Sequence, residues 1–268
     1  MDSIQLMAFA MLAVSAMSAM TGALPPGERG PVAGARGRPG DGVAPDGRVD
    51  REELLLRRLD RLAALIAEAP LNLVSAAERP HVRTRHLDEA VAVAAVLPCR
   101  SGERWMDLGT GGGLPGLVLA ACRTDVRWVL VDSTRKKTQH VERFVGELGL
   151  DNVLVLTGRA EVLAHAGEHR ARFDGVVARA VAPLAVLAEL ARGFIRDGGI
   201  LAALKGPAWQ DEVTAAATAL SVLRYGQVHS EALPSPVRST WLVTIPTEGS
   251  PPEGYPRRNG IPRTDPLR

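Results

Sequence analysis

The groups that could do chemistry are concentrated in Asp107-Leu108-Gly109-Thr110-Gly111-Gly112-Gly113-Leu114-Pro115-Gly116. Glycines at 109, 111 and 113 allow positive φ and leave no Cβ between the backbone and a ligand. The residues before them, Arg104 to Leu108, have the character of a short buried strand. Leu117-Val118-Leu119-Ala120 after them begins an apolar helix, with Pro115 suited to its first turn. Gly116 allows that helix to lie close to the strand, and the exposed N–H groups of a helix start favour an anionic or polar partner. Strand, glycine loop and helix start together form a nucleotide-sized cradle at the carboxyl end of a parallel sheet.

Two cofactors fit this cradle. Gly111-x-Gly113-x-x-Gly116 matches a dinucleotide fingerprint, with Asp132 at the distance expected of a ribose-binding acid. Asp107-x-Gly109-x-Gly111-x-Gly113 matches instead the S-adenosylmethionine loop of class I methyltransferases, which also end their second strand in an acid. Both cofactors carry adenosine, so Asp132 does not separate them. Its carboxylate could also cap the helix that begins just after it.

The elements that must position these residues follow from periodicity. Leu55, Leu59, Leu62 and Ile66 recur at helical spacing, from a start near Asp50 to a stop at Pro70. A second helix is expected from about Glu78 to Leu97. Beyond the loop, apolar strands are expected at 128–132, 153–157, 173–179 and 199–205, with helices between them at 134–149 and before 199. A helix near 208–220 then leads to strands near 222–229 and 239–245. Alternating strands and helices predict a doubly wound, mostly parallel α/β sheet. The last two strands are too close in sequence for a helical crossover and should run antiparallel. That closing antiparallel strand favours the class I methyltransferase arrangement over an all-parallel dinucleotide domain. The expected organisation is a disordered leader, translated upstream of the true start, over 1–48, then a helical N-terminal cap over 49–98. The cofactor-binding domain follows over 99–247 and a basic tail over 248–268.

Composition narrows the partners. The 32 basic and 30 acidic residues give a net charge of +2, so nucleic-acid contact would rest on local patches. Ile4 to Met20 is apolar but lacks the basic start of a signal peptide and is diluted for a membrane span, so no membrane association is expected. Cys99 and Cys122 show neither metal spacing nor a disulfide framework, consistent with reduced thiols in the cytoplasm. His165-Ala166-Gly167-Glu168-His169 has the letters of a zinc motif, but Gly167 interrupts the helix such a site requires, and no metal is expected.

The chain resembles the RsmG (GidB) family, bacterial methyltransferases that modify a guanine of 16S ribosomal RNA at N7. The resemblance rests on Asn72-Leu73-Val74-Ser75, Arg85-His86-Leu87, the loop with its Gly113-Leu114-Pro115-Gly116 ending, and Asp132-Ser133 with Lys136-Lys137. It continues through Arg159-Ala160-Glu161, Ala178-Arg179-Ala180, Ala203-Leu204-Lys205-Gly206 and the tail Tyr255-Pro256-Arg257-Arg258-Asn259-Gly260-Ile261-Pro262. One departure is Glu89-Ala90, where the family has Asp-Ser or Asn-Cys.

The resemblance implies S-adenosylmethionine as cofactor and 16S rRNA in the small ribosomal subunit as partner, with the protein acting as a monomer. It implies that Gly109, Gly111, Leu114 and Asp132 line the cofactor. Ala160 and Glu161 would hold its adenine end, and Arg179 its methionine part. Arg85, His86, Lys136, Lys137 and Lys205 would meet the RNA, and no catalytic base is expected. An NAD-dependent Rossmann oxidoreductase and a non-catalytic ribosome- or RNA-binding module are the alternatives that the loop alone leaves open.

Overall fold

The structure is a computed structural model that describes residues 51–70, 82–234 and 239–268. The expected leader, the Asp50 cap and the start of the second helix near Glu78 lie outside the described residues. The apolar stripe of the first helical segment forms α1 (Arg51–Glu68), which buries Leu59, Leu62, Leu65 and Ile66. A π-helical turn (Val82–Leu87) runs directly into α2 (Asp88–Val96). The Rossmann-like body then alternates β1 (Arg104–Leu108), α3 (Gly116–Cys122), β2 (Arg127–Asp132), α4 (Arg135–Leu148), β3 (Val153–Thr157) and α5 (Ala160–Leu163). It continues with β4 (Phe173–Arg179), α6 (Leu184–Arg192), β5 (Ile195–Lys205), α7 (Trp209–Ala215), α8 (Ala217–Val222), β6 (His229–Leu233), β7 (Thr240–Pro246) and α9 (Ile261–Thr264).

The strands form one seven-stranded sheet in the order β3-β2-β1-β4-β5-β7-β6. β1 to β5 are parallel, and β7 pairs antiparallel with both β5 and β6. Chain direction therefore reverses at a single strand, which separates this sheet from an all-parallel dinucleotide domain. The order also reverses direction beside β1, where β1 leads outward to β2 on one side and β4 on the other. Such a switch point leaves a crevice at the carboxyl ends of the strands.

Both sheet faces are covered, as near-continuous apolar strands require. Trp105, Trp128, Leu130, Val177 and Leu204 pack toward α1 to α4, so the cap helices belong to the same core as the sheet. Met106, Val129, Val131, Val176 and Ala178 pack on the other face, toward α6 and α8. Gly175 stands opposite Trp105 in the β1–β4 register, and a Cβ there would lie 2.4 Å from the indole ring. Trp105 is fully buried, so the ring has nowhere to retreat. Gly175→Ala is expected to cost about 1–3 kcal/mol by overpacking, measured by urea unfolding. A neutral result would show that the indole repacks.

One strand differs from expectation. Residues 222–229, with Val222, Tyr225 and Val228, have strand-like composition, but β6 begins only at His229. Arg224 takes a φ of 57°, and the Tyr225 N–H bonds back to the Leu220 carbonyl, which closes α8. The buried Tyr225 hydroxyl donates to the Ala188 carbonyl on α6, so these residues anchor a helix end and meet the sheet only through an isolated antiparallel bridge from Tyr225 to Thr247. The helix expected near 208–220 is correspondingly split into α7 and α8, with Ala216 between them.

Candidate functional site

The loop between β1 and α3 is built around one carboxylate. Asp107 Oδ2 accepts from Thr110 Oγ1 at 2.7 Å and from the Gly116 N–H at 2.9 Å, tying the loop's start to the first residue of α3. Gly116 must be glycine for this, because a Cβ would lie 2.6 Å from Asp107 Oδ2 and 2.8 Å from Leu130 Cγ. Gly109, Gly111 and Gly113 have φ of 74°, 56° and 92°, values that favour glycine. The loop's N–H groups at 109 and 110 bond to the Val131 carbonyl, so its floor is the end of β2.

Burial pushes the Asp107 carboxyl up from 3.8 to about 6, opposed by its bonds from Thr110 and Gly116. A raised acid binds more protons folded than unfolded between those two values. Its contribution to stability is therefore greatest at low pH and declines as the pH rises through about 6. Between about pH 4 and pH 7, wild type should lose stability relative to Asp107→Asn by something on the order of 1–3 kcal/mol in urea titrations. Parallel pH profiles for the two proteins would show that Asp107 is not proton-linked to folding.

Beyond the loop lies a cavity of about 470 Å³, within the size range of small-molecule sites. Gly109, Thr110, Gly111 and Leu114 form one wall, and Asp132, Ser133, Thr134 and Lys137 form the next. Gly158 to Glu161, from the turn after β3, and Arg179 to Val181, from the end of β4, complete it, with Ile66 of the cap and Arg263 of the tail at its edges. The site is thus drawn from four strand ends, a cap helix and the carboxyl-terminal segment.

Asp132 closes β2 and is 9% exposed. Its Oδ2 accepts the Gly111 N–H at 3.0 Å, and its Oδ1 accepts the Thr134 N–H at 2.8 Å. The capping contact and the loop contact are both present. Two further lone-pair positions remain on this carboxylate for hydroxyl donors in the cavity. Glu161, 6% exposed, accepts the Gly260 N–H at 3.1 Å from the tail. Arg179 Nη1 lies 3.1 Å from His86 Nδ1 and 3.3 Å from Glu89 Oε2.

Of the residues expected to contact RNA, the structure brings only Lys137 to the cavity. Lys136 is exposed beside it, and Arg85 is half-buried on the π-helical turn. His86 is buried against Arg179, which removes it from an RNA-facing surface. Lys205 requires a correction. It is buried, with Nζ 2.6 Å from Glu212 Oε2 and 3.0 Å from the Ala182 carbonyl, so its charge is spent inside the protein. Lys205 follows Leu204, which faces the cap, so strand alternation turns the lysine to the opposite face, where α7 supplies the carboxylate.

Several lining residues were not anticipated from sequence. Thr110 had a local signal, a hydroxyl within the glycine loop. Arg159 stood beside Ala160 and Glu161. Arg263 had none, since its place depends on how the tail folds back. The tail is held by Arg257, whose Nε and Nη2 donate to Glu189 at 2.9 and 2.7 Å, and by Arg170 and His165, which bond the Tyr255 and Pro256 carbonyls.

Comparison with known proteins bears on this arrangement. The profile of the family described as GidB, rRNA small subunit methyltransferase G, matches residues 55–239. A protein named ribosomal RNA small subunit methyltransferase G from Deinococcus deserti is 38% identical, over 78% of this chain and 88% of its own length. One of the same name from Pelotomaculum thermopropionicum is 36% identical, over 80% of this chain and 92% of its own. The crystal structure of a predicted O-methyltransferase from Agrobacterium tumefaciens has a TM-score of 0.50 at 20% identity, covering 59% of this chain and 80% of that one. That likeness bears on the fold alone.

Proposed function

We propose a reaction on one premise: this chain belongs to the rRNA small subunit methyltransferase G family. It is an S-adenosylmethionine-dependent enzyme that methylates ribosomal RNA. Within that activity, N7 of a guanine in the 16S rRNA of the small subunit is the acceptor, and the protein acts as a monomer. No helix among the described residues is long and apolar enough to cross a membrane.

The observation that carries the cofactor assignment is the convergence, in one cavity, of a glycine loop, an acid at the end of β2 and the Ala160–Glu161 turn. The fit to S-adenosylmethionine is chemical. Gly109 and Gly111 bring bare backbone to the cavity, and Leu114 offers an apolar wall. Asp132 has acceptor capacity for both ribose hydroxyls. Ala160 and Glu161 take the adenine end. Arg179 takes the methionine carboxylate, for which a planar guanidinium is suited.

Bound S-adenosylmethionine supplies an electrophilic methyl group on a sulfonium. The protein's own work is then placement. Guanine N7 carries an in-plane lone pair and no proton, so its attack needs no base to remove one. The two carboxylates lining the cavity fit that economy, since Asp132 and Glu161 are already engaged by backbone N–H groups. Holding acceptor and donor in line is the main source of rate enhancement expected here. Lys137, Arg159 and Arg263 at the cavity, with Lys136 and Arg85 outside it, supply cations for RNA phosphates. Titration calorimetry tests the assignment: S-adenosylmethionine should bind and NAD should not, and the reverse order would overturn it.

A further inference from the structure

Arg179 is held from behind by a chain of buried polar groups that crosses three elements. Its Nη1 meets Glu89 Oε2 of α2 at 3.3 Å, and Glu89 Oε1 accepts from Thr240 Oγ1 of β7 at 2.6 Å. His86, one turn earlier on the cap, meets the same guanidinium nitrogen. Glu89 is 4% exposed and Thr240 6%, whereas the Arg179 side chain keeps 17% exposure and lines the cavity. The register explains why the partners meet. Arg179 pairs with Leu204 and Leu204 with Leu242, so Thr240, two residues along β7, lies on the cap-facing side at the same end of the sheet.

A buried ion pair is a poor source of stability, because desolvation offsets much of its attraction, and apolar groups of equal volume would serve as well. Its value here is directional. Thr240 fixes the Glu89 carboxylate, and the carboxylate fixes one edge of the guanidinium, which leaves the rest of the Arg179 fork toward the cavity. We infer that Glu89, oriented by Thr240, is a positioning residue that sets Arg179 for the methionine end of the cofactor. The inference rests on the cofactor assignment made above. It makes α2 and the reversed strand part of the cofactor site although neither lines the cavity.

The test is a double-substitution cycle on the full chain, reading S-adenosylmethionine affinity by calorimetry and folding by urea titration. Glu89→Gln keeps an acceptor for Thr240 but removes the charge facing Arg179, and it should weaken binding about 3- to 10-fold in folded protein. Thr240→Val should weaken it by a similar factor with Glu89 intact, while Thr240→Ser, which retains the hydroxyl, should bind like wild type. In an Arg179→Ala background, adding Glu89→Gln should change affinity no further. A purely structural Glu89 would lower the urea midpoint while leaving affinity unchanged, and that result overturns the inference. Equal weakening by Glu89→Gln with and without Arg179 also overturns it. Failure of wild type itself to bind S-adenosylmethionine would overturn the cofactor assignment and this inference together.

Discussion

Asp132→Ala is expected to weaken S-adenosylmethionine binding by about 1.5–3 kcal/mol, on the order of 10- to 150-fold, the usual worth of hydrogen bonds to a charged group. The same substitution should lower the stability of the ligand-free protein by about 1–3 kcal/mol, because the Gly111 and Thr134 N–H groups lose their acceptor. From sequence alone the residue was open to either a ribose or a capping role. The structure shows the capping contact and a second contact to the glycine loop, on a carboxylate that also lines the cavity. Calorimetry and urea unfolding separate the effects. Lower stability with unchanged affinity would confine Asp132 to the fold.

Arg257→Ala should be the most damaging single change to the tail, at about 3–5 kcal/mol in urea unfolding. Glu189 is 1% exposed and receives the Arg257 backbone N–H as well as two guanidinium nitrogens. Removing the arginine leaves a buried carboxylate without its counter-charge, and that penalty exceeds the loss of an ordinary surface pair. Glu189→Gln should cost less, because the surviving Arg257 is partly exposed and can reach water. The effect should extend to the site. Arg257 anchors the segment that brings Gly260 to Glu161 and Arg263 to the cavity edge, so cofactor affinity should fall with stability. An Arg257→Ala protein with wild-type stability and affinity would show that the tail does not depend on this pair.

What could be read in the sequence was whatever local chemistry dictates. Gly109, Gly111, Gly113 and Gly116 announced their loop because positive φ and close packing demand glycine, and β1, β2 and β4 followed from apolar runs buried on both faces, while β3 was apolar although it forms an edge with Leu154 exposed. The reversed closing strand was legible from chain length alone. Contacts between distant elements were not. Glu161 meets Gly260, and Glu89 meets Arg179 and Thr240, across separations that no local pattern encodes. Lys205 misled for a related reason: the resemblance placed it among the RNA contacts, whereas its real partner, Glu212, is set by strand alternation and the placing of α7. Tyr225 misled in the opposite sense, since its strand-like surroundings close a helix and contribute only a single bridge to the sheet.

The central claim is methyl transfer to N7 of a guanine in small-subunit RNA, and a direct measurement tests it. Small ribosomal subunits from a bacterial strain lacking its own enzyme of this family are incubated with the purified chain and methyl-labelled S-adenosylmethionine. The RNA is then extracted and the label mapped to nucleotide and atom. The account predicts label in 16S rRNA, carried at N7 of a guanine, with a lower initial rate for Asp132→Ala protein at cofactor concentrations that saturate only wild type. Label on another atom or another RNA, or no transfer by a protein that binds the cofactor, would contradict it.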